Sequence, residues 1–172
     1  MIRIRKTVPD EAPVLAEIQR TAFLPLYARY RDPGNPCLRG PEDISARLPL
    51  DSYRYFTITD DDAIVGGILY KCSGRTVFSE IPPGTYYLAR LYIRPDRQGQ
   101  GIGRQAILLC EKEFPDARRF LVDFPADLEK NRRCYEAAGF RDTGVRTETD
   151  PGVILAMMEK QLPPCERPQA VL

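Results

Sequence analysis

The stretch from Tyr86 to Phe114 constrains the fold most, because a strand pattern in it passes directly into a helix pattern. Residues 86–93 are aromatic, branched and apolar, which is typical of a buried strand, and Pro95 ends that strand because proline cannot donate a ladder hydrogen bond. Residues 102–114 carry apolar side chains at helical spacing. The sequence therefore predicts a strand, a short turn and a helix around which the rest of the chain is organised.

The turn between these two elements is rich in glycine, with Gly99, Gly101 and Gly103 alternating with larger residues at the helix entrance. Glycine removes side chains where the backbone must approach a ligand closely. The unpaired N–H groups of a first helical turn, and its positive dipole end, attract anions such as phosphate. The turn is therefore either a pyrophosphate cradle or a strand-to-helix turn without a ligand.

Two familiar phosphate loops do not match this turn. The dinucleotide fingerprint requires G-x-G-x-x-G, whereas the glycines here alternate strictly, and the G-K-[ST] of a Walker A loop is absent. The pattern that fits is Q-x-x-G-x-G, which runs from Gln98 to Gly103. This segment resembles the acetyl-CoA motif of the GNAT family of N-acetyltransferases.

A second segment, NRRCYEAAGF at residues 131–140, resembles the helix that follows the first motif in GNAT proteins. Asn131 and Tyr135 lie four residues apart, so they share one face of a helix and can address one extended ligand. A helical tyrosine on its own is typical of a protein core, but the two motifs together are much more specific. The resemblance is clear over residues 63–140 and weak for the first strand and helix.

The resemblance implies the GNAT fold, an α/β architecture with flanking helices, about four in number. Its single mixed sheet is mostly antiparallel and has six to seven strands, of which the central fourth and fifth are parallel and splayed. Residues 1–162 are expected to form this single domain. Residues 163–172, rich in proline and polar side chains, are expected to form a loose tail.

Hydrophobic patterns place the individual elements. Strands are predicted at residues 1–6, 53–59, 63–72, 86–93, 118–124, 140–145 and 152–161. Helices are predicted at 9–22, 41–48, 102–114 and 128–138. Asp127 is expected to cap the last helix and Gly139 to end it. An irregular segment is expected from Phe23, because several prolines and glycines follow it. The three aspartates at 60–62 fit a hairpin turn better than a metal cluster, since consecutive turn residues diverge.

The resemblance also assigns roles to individual residues. Leu91 and Ile93 would pair their backbone with the pantetheine arm of CoA, and a backbone N–H of this strand would polarise the thioester carbonyl. Asn131 would hold the pantetheine, and Tyr135 would be the general acid for the leaving thiolate. The backbone N–H groups that would bind the CoA pyrophosphate are those of Gln98, Gly99, Gln100, Gly101, Ile102, Gly103 and Arg104.

The general base is the residue that the resemblance does not supply. Many GNAT proteins carry a glutamate on the central strand, but the matching position here is Tyr87. An alkylamine has a pKa of about 10.4, so it must lose a proton before it attacks a thioester. Because the chain contains no histidine, Glu80 on the preceding loop, or a chain of water molecules, is the expected proton acceptor.

These residues predict an acyl-CoA-dependent N-acyltransferase that transfers acetyl from acetyl-CoA to a primary amine by direct attack in a ternary complex. The acceptor would be a small molecule or a peptide, and no metal is expected. The missing strand glutamate leaves an alternative open, a non-catalytic acyl-CoA-binding regulatory module. A nucleotide-binding protein that uses the same cradle is the third reading.

Composition narrows the partners further. The net charge of +1 gives no argument for nucleic acid, and no segment reaches the 18 or so apolar residues of a membrane span. A cytoplasmic location without membrane attachment is therefore expected, and a homodimer would be usual for such a family. The five cysteines are irregularly spaced and lack a histidine partner, so they are expected to be reduced and free of metal.

Overall fold

The computed structural model describes residues 1–149 and 152–163, and it arranges them around one seven-stranded sheet. The strands are β1 (Ile2–Lys6), β2 (Tyr53–Asp60), β3 (Ala63–Lys71), β4 (Thr85–Ile93), β5 (Arg119–Pro125), β6 (Arg141–Thr149) and β7 (Val153–Gln161). The α-helices of this part of the chain are α1 (Ala12–Tyr30), α2 (Pro41–Arg47), α3 (Ile102–Glu111) and α4 (Glu129–Ala137). The predicted GNAT fold is confirmed, whereas the predicted tail lies almost entirely outside the described residues.

The sheet opens at its centre. Its strand order is β1-β2-β3-β4-β5-β7-β6, and only β4 and β5 run parallel. These two strands pair along only part of their length, where residues 85–88 face residues 119–122. Since β4 continues to Ile93 and β5 to Pro125, the strands diverge beyond that point. The predicted splayed pair is confirmed.

A β-bulge in β4 lies at the point of divergence. Leu69 of β3 faces Arg90, but the next residue, Tyr70, faces Leu88, so Ala89 is an extra residue in β4. A bulge bends its strand and re-aims the side chains around it. The bend therefore turns β4 away from β5 where their pairing stops.

Each face of the sheet carries its own pair of helices. The face under α3 and α4 holds the larger apolar cluster, in which Phe56, Leu88 and Phe120 are buried. The face under α1 and α2 holds a smaller cluster, which includes Leu15 and Tyr92. Because side chains alternate along a strand, neighbouring residues of β4 and β5 reach opposite faces of the sheet. The opening between β4 and β5 is thus accessible to groups from both faces.

Helix α1 is longer than its sequence pattern predicts. The prediction that the helix ends near residue 22 and gives way to an irregular segment is wrong, because one helix continues through Pro25 to Tyr30. Tertiary contacts hold the helix on both sides of the unfavourable proline, since the Phe23 ring packs 6.1 Å from the ring of Tyr92 and the Tyr30 hydroxyl donates a hydrogen bond to Asp127. The helix ends where Arg31 adopts a left-handed conformation, with φ of 54°.

Asp127 does not cap α4 as predicted. The N-cap residue is Leu128, and no side chain bonds to the first turn of the helix. The Asp127 carboxylate instead accepts a 2.6 Å hydrogen bond from the Tyr30 hydroxyl and forms an ion pair of 2.5 Å with Arg29. The predicted left-handed Gly139 is confirmed, with φ of 95°.

The cysteines of the described residues form no disulfide bonds. Cys37, Cys72, Cys110 and Cys134 are free thiols, and Cys165 lies outside the described residues. Residues 1–149 and 152–163 contain no cluster of three His, Cys, Asp or Glu side chains that would suit a metal ion. None of the helices in these ranges is long and apolar enough to cross a membrane.

Candidate active site

The divergence of β4 and β5 opens into a cleft of about 550 Å³. Three of the predicted site residues, Leu91, Asn131 and Tyr135, line this cleft. Two further lining residues, Tyr87 and Asp123, come from the two diverging strands. The structure therefore brings the strand and the α4 motif together around one opening, and it adds a carboxylate that the sequence patterns did not assign.

Asp123 is the half-buried carboxylate of the cleft. It follows Val122, the last residue of β5 that pairs with β4. The Tyr87 hydroxyl donates a 2.9 Å hydrogen bond to Asp123 Oδ2. Burial raises the pKa of the Asp123 carboxyl group, and the hydrogen bond from Tyr87 partly opposes that rise. A carboxylate with a raised pKa in a cleft is suited to accept a proton near neutral pH.

The sequence carried a signal for Asp123 that pattern matching on β4 missed. In the run FLVDF, residues 120–124, it is the one charged residue, and both of its neighbours are buried. A carboxylate within a buried strand loses its hydration, so its presence indicates either a partner or a function. The glutamate of the family is expected on β4, where Tyr87 stands; the acid lies on β5 and contacts that tyrosine.

Tyr135 approaches the cleft from α4. Its side chain is buried, and its ring packs 5.3 Å from Phe124 and 5.9 Å from Phe140. Burial, with smaller contributions from Cys134 and Asp123, raises the pKa of the Tyr135 hydroxyl well above its usual value. The hydroxyl therefore stays protonated at neutral pH, as a general acid requires. Within the described part of the chain, it forms no hydrogen bond.

The edge of β4 beyond the bulge faces the opening. From Arg90 to Ile93 the strand pairs with β3 on one side, and its β5 side is left without a strand partner by the divergence. A side chain also bonds to this stretch, because Gln98 Nε2 donates a 2.9 Å hydrogen bond to the Ile93 oxygen. Lys130 Nζ in turn donates to Gln98 Oε1 at 2.8 Å. The Gln98 side chain thus joins β4 to α4 at the end of the cleft.

The glycine-rich turn is open to a ligand. Gly99 and Gly101 have φ of 75° and 76°, in the left-handed region that favours glycine, and a Cβ atom added to either would meet nothing within 4 Å. The backbone N–H groups of residues 99–104 bond to no acceptor among the described residues. They lie at the start of α3, where the helix dipole is positive. This arrangement fits a diphosphate.

Gly103 and Arg104 serve the packing around the cradle. A Cβ atom at Gly103 would lie 3.4 Å from Cys134 Sγ and 3.5 Å from Leu91 Cδ2, which is van der Waals contact with α4 and β4. Arg104 Nε donates a 2.9 Å hydrogen bond to the Ala137 oxygen. The Arg104 side chain therefore caps the end of α4, and its backbone N–H is the group that faces the cradle.

Glu80 is not brought into the cleft. It lies in the loop between β3 and β4, its side chain is 78% exposed, and its carboxylate pairs with Arg75 at 3.4 Å. Asp123, rather than Glu80, is therefore the acid that the structure places beside Tyr135.

The sequence profile of the Acetyltransferase (GNAT) family matches residues 17–140. The chain belongs to the GNAT acetyltransferase family. This match spans the glycine-rich cradle, both diverging strands and Tyr135, so the GNAT assignment covers every group described in the cleft. Among curated protein sequences, none matches the chain.

Solved structures share the GNAT fold of this chain. An acetyltransferase from Thermus thermophilus has a TM-score of 0.70 and 23% identity, over 94% of this chain and 97% of that one. The aminoglycoside acetyltransferase AAC(6')-Ib with coenzyme A and kanamycin has a TM-score of 0.72 and 17% identity, over 94% of this chain and 95% of that one. The Escherichia coli ribosomal-protein-S18-alanine N-acetyltransferase has a TM-score of 0.68 and 14% identity, over 100% of this chain and 99% of that one. At these identities the similarity is one of fold.

Proposed function

We propose that this GNAT protein is an acetyl-CoA-dependent N-acetyltransferase that transfers the acetyl group to a primary amine by direct attack in a ternary complex. The observation that carries the proposal is that Asp123 and Tyr135 line one cleft at the divergence of β4 and β5. One group is suited to accept a proton and the other to donate one. Such a pair is the arrangement that acid–base catalysis requires.

The donor half of the site consists of the cradle and the β4 edge. The free N–H groups of residues 99–104 would bind the pyrophosphate of acetyl-CoA. The backbone of Leu91 and Ile93 would pair with the pantetheine, and Asn131 would hold it from the α4 side. When bound, acetyl-CoA supplies an activated thioester carbonyl, and a β4 N–H group would stabilise the charge that develops on its oxygen.

Asp123 would serve as the general base. A protonated amine has no lone pair for attack, so a group in the cleft must take its proton. The raised pKa of Asp123 brings the carboxylate closer to neutrality, where a base is both ionised and basic enough to act. Tyr87 would hold the carboxylate in place through its hydrogen bond.

Tyr135 would serve as the general acid. As the bond between the amine nitrogen and the acyl carbon forms, the bond from that carbon to sulfur breaks and leaves a thiolate. The Tyr135 hydroxyl, kept protonated by burial, would donate its proton to the sulfur. The nitrogen loses two protons in all: the first, lost before attack, passes to Asp123 and then to solvent, and the second, lost as the amide forms, returns to the Tyr135 oxygen. The products are then an amide and free CoA.

Nothing in the site favours the non-catalytic alternative. That reading rested on the absence of a glutamate at Tyr87, and Asp123 supplies a carboxylate in contact with the same tyrosine. Glu80, the residue that the sequence predicted as base, is exposed on its loop. The acid–base pair therefore supports a catalytic role.

Calorimetry and a thiol assay test the proposal on the purified chain. Acetyl-CoA should bind more tightly than ATP or NAD, and release of CoA thiol should depend on an added primary amine. The amine panel should include amino acids, short peptides, simple alkylamines and aminoglycosides. Absence of acetyl-CoA binding at millimolar ligand, or thiol release no faster than hydrolysis with every amine, would contradict the proposal.

A further inference from the structure

The wall of the cleft opposite α4 carries an excess of positive charge. Arg47 of α2, Lys71 of β3 and Arg90 of β4 all line the cleft. One acid pairs with the two arginines: Asp43 contacts Arg47 through Oδ1 at 2.5 Å and Arg90 through Oδ2 at 2.7 Å. Both of its carboxylate oxygens are therefore in use. Three cations and one anion leave this wall with a net charge of +2.

Arg47 keeps donors free for a ligand. Arg90 uses its Nη1 for Asp43 and Gln19 and also interacts with the Tyr55 hydroxyl, whereas Arg47 uses its Nη1 for the Asp43 carboxylate and carbonyl. The other guanidinium nitrogens of Arg47 have no side-chain acceptor among the described residues and are not sealed from solvent. The Arg47 guanidinium lies over the Tyr53 ring at 5.4 Å, which holds it in the cleft wall.

Lys71 stands in the same cross-strand row as the residue that holds the base. Tyr53 of β2, Lys71 of β3 and Tyr87 of β4 face one another in register, so their side chains share one face of the sheet. The Tyr87 hydroxyl reaches Asp123. Adjacent strands lie about 4.8 Å apart, so Lys71 is roughly 10 Å across the sheet from β5. Lys71 Nζ donates to the Arg75 oxygen at 2.8 Å and has further N–H groups to offer.

Two acids, Asp32 and Asp123, line the cleft itself. Asp32 lies at its rim, is exposed, and accepts a 2.8 Å hydrogen bond from the Gly34 N–H. Asp123 is at the reacting end. The cleft is therefore polarised, with a carboxylate where the amine must lose its proton and a cationic wall across the sheet from it.

We infer that the acceptor is a small primary amine that carries an anionic group, a carboxylate or a phosphate, and that Arg47 and Lys71 bind this group while the amine faces Asp123. This inference rests on the proposed function and specifies its substrate class. A cation would be repelled from the Arg47 and Lys71 wall, so an aminoglycoside such as kanamycin, which a structural relative binds, fits this chain poorly.

Matched acceptor pairs test the inference in the thiol-release assay with acetyl-CoA. Each amino acid is compared with its carboxamide, and O-phosphoethanolamine with ethanolamine, so that only the anionic group changes within a pair. The first arm tests a carboxylate and the second a phosphate. At least one anionic acceptor should have a kcat/KM on the order of tenfold to a hundredfold above its neutral partner, the range that a charged hydrogen bond supplies.

Two variants test whether the preference for an anionic acceptor depends on Lys71 and Arg47. Lys71→Gln and Arg47→Gln should each raise the KM for the anionic acceptor about tenfold and leave acetyl-CoA affinity unchanged, which also shows that the variants fold. Lys112→Gln and Arg20→Gln remove the same charges from exposed positions and should change neither constant.

Each outcome of the experiment is decisive. Preference for neutral or polycationic amines, or unchanged acceptor KM in both variants, would overturn the inference and leave the proposed acetyltransfer intact. Thiol release that is no faster than hydrolysis with every amine would overturn both. A preference for an anionic amine that both variants weaken would establish the substrate class.

Discussion

The Tyr87 hydroxyl donates a 2.9 Å hydrogen bond to Asp123 where β4 and β5 stop pairing. This contact links the position where a GNAT glutamate was expected to the carboxylate that is present. It also sets the pH dependence of the base, because burial raises the pKa of Asp123 and the Tyr87 hydrogen bond lowers it.

The Tyr87→Phe variant should shift the acidic limb of the pH profile. Asp123 must be ionised to accept a proton, so kcat/KM should rise with pH through the pKa of Asp123 in the free enzyme. Loss of the hydroxyl removes the interaction that lowers this pKa, and the limb should move to higher pH. An unchanged limb, or a shift to lower pH, would show that Asp123 does not control it.

The Asp123→Asn variant should be more stable than the wild type at neutral pH. The folded-state pKa of Asp123 is raised above its unfolded value, so the folded protein binds the proton more tightly. Wild-type stability is therefore lost as pH rises from the ordinary aspartate pKa, about 3.9, through the raised value. The difference in Tm between variant and wild type should grow over that window.

The control for this stability measurement is Asp62→Asn. Asp62 is exposed in the β2–β3 turn, so the substitution removes the same charge without relieving a buried carboxylate. The Tm of the Asp62→Asn variant should follow that of the wild type across the pH range. A Tm difference for Asp123→Asn that does not vary with pH would contradict the assigned cause.

The Tyr135→Phe variant should lower kcat roughly a hundredfold, within the range of general acid catalysis. The ring would keep its packing against Phe124 and Phe140, so the KM for acetyl-CoA should change by no more than about twofold. Tyr27→Phe, which removes a hydroxyl from a tyrosine that does not line the cleft, should leave both constants unchanged. Wild-type turnover in Tyr135→Phe would remove the acid role.

The Gly101→Ala variant should weaken acetyl-CoA binding by about tenfold or more, or about 1.4 kcal/mol. A methyl group at this position would enter the open cradle and strain the left-handed backbone. Gly144→Ala is a matched control, because Gly144 has φ of 79° and equally open surroundings but lies on β6. Calorimetric titration of both variants separates backbone strain, which they share, from the loss of the cradle.

The central strand, the glycine turn and α3 could be predicted from the sequence because local chemistry specifies them. Branched and aromatic residues favour β4, Pro95 ends it, and the alternating glycines permit the left-handed conformations of the turn. In α3, Ile102, Ala106 and Cys110 of the predicted apolar face are buried. Local preference and global fold agree over this stretch.

The remaining features depend on contacts between distant residues. Pro25 argues against a helix, but α1 continues to Tyr30, with Phe23 packed on Tyr92 before the proline and Tyr30 bonded to Asp127 after it. Asp127 has the side chain of a helix cap, yet Tyr30 and Arg29 bind it instead. No pattern within one segment reveals such pairs.

Asp123 was missed for the same reason. Its contact with Tyr87 depends on the parallel pairing of β4 and β5, two strands that are separated by α3 in the sequence. A search confined to β4 could not find an acid on β5. The sequence shows that Asp123 is charged within an otherwise apolar run, but it does not show that Tyr87 is its partner.

Amine-dependent release of CoA thiol from acetyl-CoA, measured side by side for the wild type and Asp123→Asn, tests the central claim most directly. The wild type should release thiol with a primary amine, and the variant should be slower by roughly a hundredfold or more while its calorimetric affinity for acetyl-CoA is retained. Equal rates for the two proteins would contradict the assignment of Asp123 as the base of an acetyltransferase.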